Sequence, residues 1–100
     1  MSEQPRELGL ISIVLPFHNE SRYLGECLES IRKQTFINYE CLIIDNGAIA
    51  SARQVAESYC QVDKRFKIIE AFGINLAAAL NVGLKYAKGS IIARIDSDDL

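Results

Sequence analysis

Four short apolar runs alternate with three amphipathic segments along the chain. The apolar runs lie at 11–15, 41–44, 66–70 and 90–95 and are rich in β-branched residues. Short, almost continuously apolar runs are typical of strands buried on both faces, as in a parallel sheet. Pro16 is expected to end the first strand, and the turn sequence Asp45-Asn46-Gly47 is expected to end the second.

The amphipathic segments predict three helices, at about 21–34, 50–60 and 76–88, because apolar residues recur at spacings of three and four. The side chains expected to face inward are Leu24, Cys27, Leu28 and Ile31 in the first helix, Ala52, Val55, Ala56 and Tyr59 in the second, and Leu76, Ala79, Leu80, Leu84 and Ala87 in the third. Ser21 is the expected N-cap of the first helix, and Gly89 is the expected cap beyond the end of the third.

The resulting order, β-α-β-α-β-α-β, predicts an α/β fold. We expect a Rossmann-like parallel sheet with strand order 3-2-1-4 and helices on both faces. Residues 1–9 are polar and contain Pro5 and Gly9, so they are expected to form a flexible N-terminal arm. Residues 10–100 are long enough for a single small domain.

In sheets of this kind, ligands bind beyond the carboxyl ends of the strands, at the point where the strand order reverses. Polar residues follow strands 1, 2 and 4 of this chain: His18-Asn19-Glu20, Asp45-Asn46 and Asp96-Ser97-Asp98-Asp99. We therefore expect three loops that are far apart in sequence to meet at one cleft.

The net charge of −2 gives no electrostatic footprint for nucleic acid or an anionic membrane. The three cysteines, Cys27, Cys41 and Cys60, lack metal-binding spacing and are expected to be reduced core residues, which favours a cytoplasmic compartment. No apolar run approaches the roughly 20 residues needed to cross a bilayer.

The acidic residues near the end of the sequence suggest a metal site. Asp96, Asp98 and Asp99 crowd negative charge at a strand end, where like charges repel unless a cation lies between them. Mg²⁺ and Mn²⁺ favour such carboxylates together with phosphate oxygens of a ligand. The alternative is a solvated acidic turn or the first turn of a helix, where Asp is also favoured.

The loops after strands 1 and 2 each leave two interpretations open. His18 could stack on a base or could be an ordinary surface histidine, and no glycine-rich phosphate loop follows strand 1. Asp45 and Asn46 could bind a base or ribose, or they could simply form the turn with Gly47.

These residues resemble, in the same order, the nucleotide-sugar-binding region of family 2 inverting glycosyltransferases, which have the GT-A fold. The matching segments are 13–20 for the first strand and loop, 23–31 and 34–36 for the first helix, 43–47 for the second strand and turn, 78–83 and 87–89 for the third helix, and 94–99 for the DXD element. The resemblance spans Ile11 to Leu100 and implies a truncated GT-A fold.

The resemblance implies a role for each matching residue. His18 would stack on the nucleobase, Asp45 and Asn46 would accept hydrogen bonds from it, and Asp96 would lie by the ribose and diphosphate. Asp98, with Asp96, would bind Mg²⁺ or Mn²⁺ bridging to the diphosphate, with Asp99 in support. Pro16 and Glu20 belong to the first-strand loop of the nucleotide site. Arg94 would pair with carboxylates or phosphates, the alternative being an exposed strand residue.

The resemblance also implies a reaction. The enzyme would transfer a sugar from a nucleotide-diphosphate sugar, with a UDP-sugar favoured, to a hydroxyl of a glycan or other acceptor, as in polysaccharide biosynthesis. The general base is expected downstream of Leu100, so no catalytic residue is assigned. The fragment is expected to bind nucleotide weakly, if at all, and to transfer no sugar, and membrane association is left open for the full-length protein.

Three departures from the family pattern affect this interpretation. Ala48-Ile49-Ala50 stands where the family commonly has a hydroxyl pair and an acid, Asn46 stands where a carboxylate is common, and Asn75 stands where a glycine is common. A non-catalytic assembly module is therefore one alternative, and a nucleotidyltransferase is another. Strand 4 would also be an open edge, which predicts a homo-oligomer formed through that edge or through exposed apolar helix faces.

Overall fold

The computed structural model describes residues 7–17, 23–34, 38–47 and 50–95. Strands and helices alternate in the predicted order. The elements are β1 (Glu7–Phe17), α1 (Leu24–Arg32), β2 (Tyr39–Asp45), α2 (Ala50–Val62), β3 (Phe66–Glu70), α3 (Leu76–Tyr86) and β4 (Gly89–Arg94). Within the described ranges, no helix has the length and apolar character needed to cross a bilayer.

The four strands form one parallel sheet in the order β3-β2-β1-β4, which confirms the predicted topology. β2 is buried along its whole length because strands flank it on both sides and helices cover both faces. In register, Phe17 lies beside Asp45, Asp45 lies beside Glu70, and Val14 lies beside Arg94. The carboxyl ends of the strands therefore lie at one edge of the sheet.

The two faces of the sheet carry separate hydrophobic cores, because alternate side chains of a strand point to opposite faces. Ile13, Leu15 and Phe17 of β1 pack with α1 and α2, whereas Val14 packs on the other face with α3. The predicted stripe of α1 is fully buried, and Ala52 and Ala56 anchor α2. Of the cysteines, Cys27 and Cys41 lie in the core as free thiols, and Cys60 is half-buried.

β1 is longer than the sequence predicted. It begins at Glu7, so residues 7–9 belong to the sheet, and their assignment to a flexible arm is wrong. Gly9 adopts a positive φ of 82°, and its carbonyl oxygen accepts a 2.9 Å hydrogen bond from Asn38 Nδ2. The register with β4 shifts between Glu7 and Ile11, an irregularity that Gly9 accommodates at low cost. Residues 1–6 lie outside the described residues.

Pro16 lies inside β1, although it was expected to end the strand. The N–H groups of a strand alternate in direction, and the Ile11 N–H points towards β2, where it donates to the Asn38 carbonyl at 3.2 Å. The nitrogen of Pro16 therefore points towards β4, at a position beyond the last residue pair of the two strands, Val14 with Arg94. A proline is tolerated there because its missing N–H interrupts no pairing of the described strands.

Two helix predictions need correction. The N-cap of α1 is Tyr23, without a side-chain cap, rather than Ser21, which lies outside the described residues. In α3, the predicted inward residues Leu76 and Leu84 are 45% and 39% exposed. Gly83 is buried instead: a Cβ there would come within 2.8 Å of Ile44 Cδ1. The helix lies so close to the sheet that the contact face is built on small residues.

Gly89 starts β4 and is not a helix cap. A Cβ at this position would lie 2.6 Å from the Leu10 carbonyl oxygen and 2.7 Å from the Ser12 nitrogen. The Gly89 N–H donates to Ser12 Oγ at 2.7 Å, and Ser12 Oγ donates to the buried Glu40 carboxylate at 2.6 Å. The same carboxylate accepts the Lys88 N–H at 2.7 Å. A glycine is needed because two backbones approach each other here.

Candidate functional site

Backbone hydrogen bonds join the ends of three strands at one edge of the sheet. The Asn46 N–H donates to the Phe17 carbonyl at 3.0 Å, and the Ala71 N–H donates to the Asp45 carbonyl at 2.9 Å. The chain thus leaves β1, β2 and β3 at neighbouring points. β1 ends at Phe17, which lies directly beside Asp45 in the parallel register.

Asp45 is buried, with only 2% of its surface exposed. Its Oδ1 accepts the Gly47 N–H at 3.0 Å, and its Oδ2 accepts a hydrogen bond from Arg53 Nη1 at 2.8 Å. Gly47 has a φ of 105°, the left-handed conformation that the turn requires. Asp45 therefore stabilises the turn after β2. This was one of the two interpretations of Asp45 that the sequence left open.

Asn46 is half-buried and joins two loops. Its Nδ2 donates to the Ala71 carbonyl at 2.7 Å and to the Ile74 carbonyl at 3.0 Å. Both carbonyls belong to the connection between β3 and α3. The side-chain amide thus uses both hydrogens on main-chain acceptors, and its carbonyl oxygen is the acceptor end of the group.

Arg53 of α2 is a site residue that sequence reasoning missed. Its guanidinium binds Asp45 at 2.8 Å, Glu70 at 2.9 Å and Glu57 at 3.0 Å. The hydrogen bond to Asp45, with those to Glu70 and Glu57, raises the pKa of Arg53, so the side chain stays charged. The sequence contained a feature that could have identified this residue: Arg53 is the only cation of α2 and precedes Glu57 by one helical turn.

Arg94 does not join this group. It pairs with Val14 in register, so its side chain lies on the α3 face of the sheet, whereas Asp45 faces α2. Arg94 is an exposed strand residue. Pro16 is buried in the sheet on that same α3 face. The structure therefore brings Asp45 together with Arg53 on the α2 face, whereas the Arg94 side chain lies on the α3 face.

The connection between β3 and α3 borders the site. Gly73 turns the chain with a φ of 73°, and Asn75 then caps α3, its Oδ1 accepting the Ala78 N–H at 2.8 Å. Asparagine is a favoured N-cap, so Asn75 has a structural role at the start of α3. Phe72 is 55% exposed on this connection, an aromatic surface at the same edge that the sequence analysis did not select.

Four predicted ligand residues lie outside the described residues: His18, Glu20, Asp96 and Asp98. Across the described ranges, no group of three or more His, Cys, Asp or Glu side chains is arranged to hold a metal ion. The Ile95 N–H donates to the Val14 carbonyl at 3.1 Å, so Ile95, the last described residue, still lies beside β1. The three aspartates of that segment are hard oxygen donors, which suit Mg²⁺ or Mn²⁺.

A parallel sheet in this order, with a polar edge at the carboxyl ends of its strands, defines a nucleotide-binding type of α/β fold. The family model of glycosyl transferase family 2 matches residues 12–100. The chain belongs to this family, which confirms the resemblance seen in the sequence.

Individual proteins agree with this assignment. EpsH of Bacillus subtilis, named as a glycosyltransferase, is 39% identical over 93 residues, which are 93% of this chain and 27% of EpsH. The chain thus spans about 27% of the length of that relative.

Two solved structures have the same fold. Mannosyltransferase PcManGT from Pyrobaculum calidifontis, in complex with GDP-Man and Mn²⁺, superposes with a TM-score of 0.82 at 22% identity, covering 99% of this chain and 29% of that chain. S. aureus TarS 1–349, in complex with UDP, gives a TM-score of 0.77 at 28% identity and covers 88% of this chain and 27% of that chain. The four-stranded sheet with its helices therefore belongs to the GT-A type.

Proposed function

We propose that residues 10–100 form the donor-binding part of a glycosyltransferase that uses a nucleotide-diphosphate sugar. The favoured donor is a UDP-sugar, and the acceptor is a hydroxyl of a glycan or similar molecule. Membership of a transferase family and the UDP and GDP-Man complexes of two structural neighbours support this proposal. The compartment stays a prediction: the buried thiols of Cys27 and Cys41 suit a reducing cytoplasm.

The observation that carries the proposal is the convergence of strand ends. Phe17, the last residue of β1, lies beside Asp45, and Asn46 hydrogen-bonds its carbonyl. A ligand at this edge can therefore be reached from the loop that starts at His18 and from the turn at Asn46. Such an edge, at the reversal of strand order between β1 and β4, is where α/β sheets bind nucleotides.

Each residue would then act on one part of the nucleotide. His18 would stack on the base, and Glu20 and Pro16 would shape the loop that carries it. Asp96 would bind near the ribose and diphosphate, and Asp98 with Asp96 would hold Mg²⁺ or Mn²⁺. The metal, when bound, offsets the charge of the diphosphate leaving group.

Calorimetric titration with UDP, in the presence and absence of Mn²⁺, tests the proposal. We expect binding that strengthens at least about tenfold when Mn²⁺ is present, equivalent to roughly 1.4 kcal/mol. Asp98→Ala should abolish the metal dependence while leaving the fold intact. GDP titrated in parallel tests the preference for uracil.

Glu26→Ala is the matched control, because Glu26 is an exposed acid of α1 outside the site. It should bind UDP as the unmodified protein does. If neither UDP nor GDP binds under any of these conditions, the proposal fails, and the non-catalytic assembly module becomes the better account.

A further inference from the structure

The turn after β2 and the connection after β3 are tied together by one side chain. Asn46 Nδ2 donates to the carbonyls of Ala71 and Ile74, at 2.7 and 3.0 Å. These two carbonyls flank the Gly73 turn, whose φ is 73°. A primary amide has two hydrogens on one nitrogen, so it can bridge two acceptors that a hydroxyl or a carboxylate cannot bridge.

We propose that Asn46 is a positioning residue: its side-chain amide fixes the 71–75 connection at the edge of the nucleotide site. This inference rests on the proposed function, since it names what holds the wall of that site. It adds a second role to the one that the family resemblance implied for position 46, that of a hydrogen-bond acceptor for the base, because the two bonds use the amide nitrogen and not its oxygen.

The two carbonyl acceptors, Ala71 and Ile74, explain why an amide suits position 46 better than a carboxylate. A carboxylate has no hydrogen at neutral pH, so an aspartate at position 46 would set its oxygens against the carbonyl oxygens of Ala71 and Ile74. Two favourable contacts would become repulsive ones. The 71–75 connection would lose its side-chain tie to Asn46 while keeping the main-chain bond from the Ala71 N–H to the Asp45 carbonyl, so Phe72 and Ile74, which are 55% and 41% exposed on it, would be held less firmly.

A pair of salt bridges forms a second tie, between the ends of β2 and β3. Arg53 bridges Asp45 at the end of β2 and Glu70 at the end of β3, with distances of 2.8 and 2.9 Å. Arg53 is about 28% exposed and Asp45 about 3%, so this bridge is shielded from water on the Asp45 side. With β2 and β3 already joined at their ends, the bonds of Asn46 set the path of the chain just beyond them.

The two roles for position 46 predict opposite effects of Asn46→Asp. If accepting a hydrogen bond from the base is the whole role of Asn46, the substitution supplies a charged and stronger acceptor, and UDP binding is maintained or improves. If Asn46 positions the connection, UDP binding weakens by roughly tenfold, the equivalent of one lost hydrogen bond to a buried acceptor. The substitution restores the family's common residue, yet we expect it to impair the site.

The experiment combines calorimetry with hydrogen exchange. We expect Asn46→Asp to weaken UDP binding and to accelerate amide exchange in the 71–75 segment, with exchange in α1 unchanged. Lowering the pH from about 7 to about 4, near the ordinary aspartate pKa of about 3.9, should recover part of the affinity, because a protonated carboxyl donates one hydrogen bond. Asn46→Ala should show no such recovery. Gln54→Glu, on the exposed face of α2, is the control for the added charge.

The outcomes separate this inference from the proposed function. Asn46→Asp with unchanged or tighter UDP binding and unchanged exchange at 71–75 overturns the positioning role. If the unmodified protein binds no UDP, the proposed function fails, and exchange at 71–75 alone decides whether the tie exists. Should Asn46→Asp fail to fold, Asn46→Ser keeps one donor and is expected to show an intermediate acceleration of exchange; unchanged exchange in that variant contradicts the inference.

Discussion

At the scale of single residues, Asp45 and Asn46 at the end of β2 hold neighbouring main-chain segments in place. Asp45 binds the Gly47 N–H and Arg53, and Asn46 binds two carbonyls of the following connection. The sequence identified Asp45 and Asn46 as candidate residues, but it could not show which groups they would contact. The acceptors of Asn46 lie 25 and 28 positions away in the chain, and the Arg53 partner of Asp45 lies eight positions away on the next helix.

Gly89 is another residue whose role depends on contacts that the sequence does not show. Its position after a helix suggested a cap, whereas the structure uses it because Leu10 and Ser12 of β1 pass too close for a side chain. Such a close approach leaves no signature in hydrophobic periodicity.

We expect Gly89→Ala to lower the free energy of unfolding by about 1–3 kcal/mol, because the added methyl group meets backbone atoms that cannot move independently. Urea denaturation measures the change. Gly25→Ala in α1 is the control: its Cβ would find only Val55 Cγ1, at 3.6 Å, and the change should be neutral or stabilising. Equal stability of Gly89→Ala and the unmodified protein would show that the contact is not tight.

At the scale of elements, the apolar pattern predicted where strands and helices lie better than how they end. The β3 strand matches its prediction, and the α1 stripe is buried as expected. The α3 pattern misled for a physical reason: small residues at its contact face let it lie close to the sheet, which leaves Leu76 and Leu84 at the sides. The spacing of apolar residues does not show how much of an apolar helix surface is buried. It is the same whether the helix contacts the sheet through a few small residues or through a wide stripe of large ones.

The turn between α2 and β3 carries a testable pH dependence. Asp63 accepts hydrogen bonds from Arg65 at 2.7 and 3.0 Å, and these lower the pKa of the Asp63 carboxyl. A carboxyl whose pKa is depressed by folding stabilises the fold above its unfolded pKa of about 3.9, and this contribution is lost as the pH falls through the folded value.

Asp63→Asn should therefore be less stable than the unmodified protein at neutral pH, by the order of 1 kcal/mol for a partly exposed pair. The difference should shrink as the pH falls below about 4. Urea unfolding at a series of pH values measures it, with Glu26→Gln as a control on the exposed face of α1. A difference that stays constant down to the lowest pH would contradict the assigned charge effect.

At the scale of the whole molecule, β4 lies at the edge of the sheet as the structure describes it. Ile91 and Ile92, on opposite faces of β4, are 56% and 38% exposed. An apolar edge strand with open main-chain groups favours pairing with another chain.

We expect the protein to self-associate through this edge, as the sequence analysis predicted, and expect Ile91→Lys to reduce the association. Light scattering across a concentration series measures the average mass. Val62→Lys is the matched control, because Val62 is 75% exposed at the end of α2, away from β4. A monomer at every concentration, or equal effects of the two substitutions, would contradict an interface at β4.

The central claim concerns where nucleotide and metal bind: at the edge of the sheet formed by the carboxyl ends of its strands. Paramagnetic broadening of backbone amide signals by Mn²⁺ in the presence of UDP tests this location most directly. We expect strong broadening at Asn46, Ala71 and Ile95 and weak broadening at Tyr39, Phe66 and Gly89, which lie at the opposite ends of the strands. Broadening strongest at Tyr39, Phe66 and Gly89 would contradict the account.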